Sequence, residues 1–180
     1  MKKTALKAVA AGIGAALFFI IAKFAQIPTG VPNLTISFQF AIITFFGLLY
    51  GPYVGGFIGF VGHLLNDATS GWGIWWPWVL ASAIFGVIIG IVGNITKVSK
   101  GYTKKKLLVV IAAMLVATIA SWLFVAPLGD VLIYQEDIGL EYLQGSIAGI
   151  SNFVVSAVVG NLLVFSYSKT FAKNNSLDNE

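Results

Sequence analysis

The chain has 180 residues, 58% of them hydrophobic and 10% charged, and a mean hydropathy of +0.89. That balance excludes an ordinary soluble domain and points to an integral membrane protein. The net charge of +4 comes from lysines set at the ends of apolar runs, which fits membrane topology rather than a nucleic-acid-binding face, and the absence of cysteine excludes disulfides, thiolate metal sites and a thiol nucleophile.

The apolar runs are long and continuous, so the sequence predicts helices rather than a barrel. The first span, about residues 5–26, follows Lys2, Lys3 and Lys7. No small-x-small cleavage site follows its apolar run, so it reads as a retained span and not a signal peptide. Lys23 lies near its far end, where the stem can snorkel to the surface. QIPTGVPNLT is a loop, because two prolines and a glycine cannot continue a helix. The second and third spans, about 36–50 and 52–66, meet at Gly51-Pro52 and are short, each covering about 22 Å of a roughly 30 Å hydrocarbon core. The third carries Gly55, Gly59 and Gly62 on one face, a pattern for close helix packing. The remaining spans are about 76–95, 107–126 and 143–167, with a loop over 127–141 between the last two. The expected fold is an all-α membrane protein, a compact bundle of six transmembrane helices forming a single domain over 1–173, with a disordered polar tail at 174–180.

Six spans bring both termini to one side. Ten of the eleven lysines then share that side, which the positive-inside rule makes cytoplasmic. Polar residues of the spans gather instead at the opposite, outer end: Gln39, His63, Asn66, Asp67, Ser121, Gln144, Ser146 and Asn152. Polar groups in lipid must face protein or water, so an outward-opening cavity would serve several at once, while helix-to-helix hydrogen bonds would serve each singly. His63 and Asp67 are four apart on one helical face. They suit a proton relay or half a metal site, or else an aspartate that orders the following turn. Trp72, Trp75, Trp76, Trp78 and Trp122 fall near the same end, suited to stacking on a flat heterocycle or to an interfacial belt. The candidate substrate-binding residues are Asn33, Gln39, His63, Asn66, Asp67, Trp75, Trp76, Trp122, Gln144 and Asn152. No phosphate loop, zinc-protease motif or paired-acid motif argues for an enzyme, and no metal site or resident cofactor is expected.

The alanine stripe Ala11-x-x-x-Ala15, the proline loop IPTGVPN, and GPYVGGFIGFVGHLLND followed by WWPWVLASAIFGVIIG resemble an S component of the energy-coupling factor (ECF) vitamin transporters, in a branch related to riboflavin-type S components. The resemblance covers essentially the whole chain. It implies a multi-pass subunit of the bacterial cell membrane that captures a vitamin or precursor from outside, such as riboflavin, a thiamin precursor or cobalamin. In that family the site lies among spans four to six under the loop between spans one and two, here residues 27–35. It further implies docking through Ala11 and Ala15 onto a transmembrane T component that carries two cytoplasmic ATPases. Competing readings are a self-sufficient proton-coupled carrier and a membrane assembly protein without a small ligand.

Overall fold

A computed structural model describes the backbone of residues 2–177 and the side chains of residues 4–170. Along the chain run α1 (Lys2–Phe24), a hairpin of β1 (Gln26–Pro28) and β2 (Thr35–Ser37), α2 (Gln39–Tyr50), α3 (Pro52–Ser70), α4 (Trp76–Thr96), α5 (Lys104–Thr118), α6 (Ala126–Tyr134), α7 (Ile138–Val155) and α8 (Asn161–Leu177). Among the described residues, four helical stretches are long and apolar enough to cross a membrane: Thr4–Phe24, Trp76–Lys100, Lys104–Tyr134 and Ile138–Thr170. The apolar α2 has only 12 residues, about 18 Å of rise. The polar tail expected at 174–180 overlaps the end of α8, and residues 178–180 lie outside the described residues.

Glycine sets the closest approach in the bundle. A Cβ on Gly55 would be driven into the Gly86 carbonyl and one on Gly59 into the Ser82 carbonyl, so α3 and α4 touch backbone to backbone. Farther along α3, Gly62 takes the Phe18 ring of α1. Gly55 and Gly59 thus open α3 to α4 and Gly62 opens it to α1, while Gly14 of α1 makes room for Ile58, which places α3 between α1 and α4. At the centre, the Phe40 ring meets Phe18, Phe85 and Trp122 edge-on, at centroid distances of 5.6, 5.5 and 5.2 Å. Phe40 thereby joins α1, α2, α4 and the segment after α5 in one core.

The expected loop over 127–141 is largely helical. Residues Ile119–Val125 form a widened, π-type turn, and the Ala126 N–H bonds to the Ser121 carbonyl five residues back. Pro127 then sits in the first turn of α6, where it needs no N–H, and the widened turn removes the clash that stops a regular helix. The chain therefore continues to Tyr134. The real turn is short, with Gln135 in the left-handed region and Asp137 capping α7 by accepting the Leu140 N–H at 2.8 Å. A second widened turn, Ser156–Gly160, separates α7 from α8.

The proline loop is also more ordered than a simple connection. Gln26 pairs with Ser37 and Pro28 with Thr35 in antiparallel register. The Thr29 hydroxyl donates to the Leu34 carbonyl at 2.8 Å and accepts the Val31 N–H at 3.2 Å, closing the tip.

Candidate functional site

The end of the bundle formed by the start of α2, the last turns of α3, the start of α4, α6 and the start of α7 holds a cavity of about 180 Å³. It lies opposite the lysine-bearing turn between α4 and α5. Asn33, Gln39, His63, Asn66, Asp67, Trp75, Trp122, Gln144 and Asn152 all line it. Trp76 does not: it lies on the outer face of α4, 44% exposed, against the Phe60 ring. The cavity also takes in Phe40, Trp72, Trp78, Asp130, Glu136 and Glu141.

Its floor is aromatic. Trp122 is only 1% exposed, and its ring lies 5.6 Å from that of Trp78 at an interplanar angle of 35°. The widened turn after α5 sets Trp122 at this depth, and Gly145 and Gly149 of α7 leave room for its backbone and ring. One wall is acidic: the Trp78 indole N–H donates to Asp130 Oδ2, and the Asp130 and Glu141 carboxyl groups lie within hydrogen-bonding reach of each other. Two carboxyl groups so close repel each other unless a counter-charge lies beside them. Asp130 Oδ1, Glu141 Oε2, Gln39 Oε1 and the Trp122 indole N–H are all buried without a hydrogen-bond partner. Buried polar atoms are ordinarily satisfied, so four orphans around one cavity mark a place built to receive hydrogen bonds from something else.

The opposite wall is a fixed chain of polar contacts. His63 Nδ1 lies 2.6 Å from the Ser82 hydroxyl and Nε2 lies 3.4 Å from Asp67 Oδ1, while Asp67 Oδ2 accepts the Trp75 backbone N–H at 3.1 Å. Asp67 thus orders the turn between α3 and α4, and His63 ties that turn to α4. Over the top lies the hairpin, held by Gln144, whose Nε2 donates to the Pro32 carbonyl at 3.1 Å. Lys23, at this end, donates to the Thr69 carbonyl at 2.7 Å and does not line the cavity.

Asp130 and Glu141 were beyond reach of the sequence reading because Pro127 signalled a loop, and a loop acid is ordinarily solvated. The available signal was spacing: Asp130 stands eight residues after Trp122, close to two helical turns, on the face that Trp122 shares. A second groove near the lysine end is walled by Leu107, Ile111, Leu162 and Phe165. Its Tyr102 hydroxyl and Asn161 side chain satisfy each other, and burial pushes the Tyr102 phenol above its ordinary value.

On α1, Ala15 is buried at 3% exposed and Ala11 is half-buried against the core, whereas Ala8, Gly12 and Ala16 are exposed. A Cβ on Gly12 would meet nothing within 4 Å. The α1 face open to a partner is therefore offset from the Ala11–Ala15 pair.

Residues 2–169 match the family described as the ECF-type riboflavin transporter, S component. A UPF0397 protein of Streptococcus gordonii is 41% identical over 97% of this chain and 94% of its own length. Another from Clostridium perfringens is 42% identical over the full length of both. The crystal structure of FolT bound with folic acid matches with a TM-score of 0.59 at 19% identity, covering 88% of this chain and 97% of FolT, a likeness of fold. The chain therefore belongs to the ECF-type riboflavin transporter S component family, made up of membrane-embedded transporter subunits rather than enzymes.

Proposed function

We propose that this chain captures a vitamin or vitamin precursor from outside the cell and delivers it inward when docked on a T component carrying two ATPases. The observation that carries this reading is the lidded cavity, whose wall and floor hold four buried polar atoms without partners beneath a hairpin fastened by Gln144. The same reading takes α1 to α8 as six spans of one domain in the plasma membrane. The lysine-rich turn and both termini lie in the cytoplasm and the cavity opens outward. Docking uses the exposed small residues Ala8, Gly12 and Ala16, which let a partner helix approach closely. The ten residues singled out from sequence, less Trp76, belong to the binding site, with His63 and Asp67 holding the Trp75 turn rather than relaying protons.

Native mass spectrometry of the detergent-purified chain from cells grown in rich medium tests capture directly. A reproducible retained small molecule is the expected result. An empty chain that also fails to accumulate any B vitamin or precursor in cells supplied with a T component and its ATPases would sink the reading.

A further inference from the structure

We propose that the ligand of this cavity is a flat heterocycle carrying a positive charge, as a quaternary ring nitrogen or a protonated amine, and no carboxylate or phosphate. This rests on the transport reading above and sharpens it to a substrate class. Among the lining residues are Asp67, Asp130, Glu136 and Glu141, with no lysine or arginine. His63 also lines the cavity but is already held by Asp67 and Ser82, so an anionic ligand would enter a desolvated site facing Asp130, Glu136 and Glu141 with no free cation among the lining residues, whereas a cationic one would meet its counter-charges in place.

The orphaned atoms point the same way. Three of the four are acceptors, Asp130 Oδ1, Glu141 Oε2 and Gln39 Oε1, and they call for a ligand rich in N–H donors. Asp130 is 1% and Glu141 3% exposed, so both carboxyl groups sit in a desolvated wall where a charged donor counts for more than it would in water. The lone donor, the Trp122 indole N–H, asks for one ring nitrogen or carbonyl on the ligand. The close Asp130 and Glu141 carboxyl groups are an arrangement that a cation between or beside them relieves. Their neighbours Trp78 and Trp122 supply aromatic faces, which attract cations and stack on flat rings.

The test is calorimetric titration of the full-length chain in detergent with three ring compounds: thiamin, which carries a fixed positive charge, riboflavin, which is uncharged, and folic acid, which is dianionic. Thermal unfolding is followed alongside. Thiamin is expected to bind at least tenfold more tightly than either of the others. Glu141→Gln and Asp130→Asn should each weaken thiamin at least tenfold while the unfolding midpoint holds. Tighter binding of riboflavin or folic acid overturns the charge assignment but leaves the transport reading standing, as does thiamin affinity unmoved in the folded variants. Binding of none of the three overturns the charge assignment. The transport reading falls with it only if the chain also retains no co-purified molecule and supports no uptake with its partners.

Discussion

Trp122 has two separable features, a buried ring that fills the core and an indole N–H without a partner, which the proposed function assigns to the ligand. Trp122→Phe keeps most of the ring and removes the donor. It should weaken ligand binding by about fivefold to tenfold, the worth of one hydrogen bond, and lower the melting temperature through the space the smaller ring leaves in the core. Trp76→Phe, on the outer face, should leave affinity unchanged in the same titration. Asp67 is a different kind of residue: it is buried and spent on the Trp75 N–H and on His63. Asp67→Ala should cost about 1–3 kcal/mol of stability by orphaning that N–H, and hydrogen exchange at Trp75 should quicken. Polar residues such as Gln39, Asn66 and Asn152 were legible in the sequence because each interrupts an apolar span, where it needs a reason to be. Trp76 was not separable from its neighbours, since which face of α4 a tryptophan takes depends on the helix start, and Trp75 precedes that start.

At the scale of the elements, the spacing of Gly55 and Gly59 announced a close helix contact, and α3 and α4 meet there. Gly59→Val would push a branched side chain into the Ser82 carbonyl. A loss of about 1–3 kcal/mol or more follows from overpacking, read as a lowered unfolding midpoint, and since Ser82 holds His63, ligand affinity should fall as well. The widened turn at Ile119–Val125 was hidden from sequence because a π-type turn has no composition of its own. Its only trace was Pro127, which reads as a stop by local rules and is accommodated here by one extra residue in the preceding turn. That hidden feature accounts for Asp130, which reaches the cavity only if the helix runs on, whereas Glu136 and Glu141 were missed because the chain turns at Gln135 and α7 begins at Ile138, ahead of the span expected from about residue 143.

For the whole molecule, the proposed docking through α1 predicts that this helix separates folding from assembly. Ala15→Leu would place a large side chain at a buried position and should lower stability, whereas Gly12→Leu faces open space and should leave folding and ligand affinity intact. The expected outcome for Gly12→Leu is loss of ATP-dependent uptake in cells supplied with the partner subunits, with ligand binding by the purified chain preserved. The hairpin carries a further consequence for traffic through the site. Its tip is tied to α7 by the Gln144 hydrogen bond to Pro32, and a net contribution of about 1 kcal/mol makes that bond alone a shutter standing ajar in roughly one molecule in six. The rest of the hairpin stays fixed by the Ser37 hydroxyl bond to the Ile21 carbonyl and by buried Leu34, so only the tip swings on that one bond. On the proposed capture role, a ligand that touches both tip and floor adds its own bolt to that single bond, and its residence time lengthens with the contacts it makes.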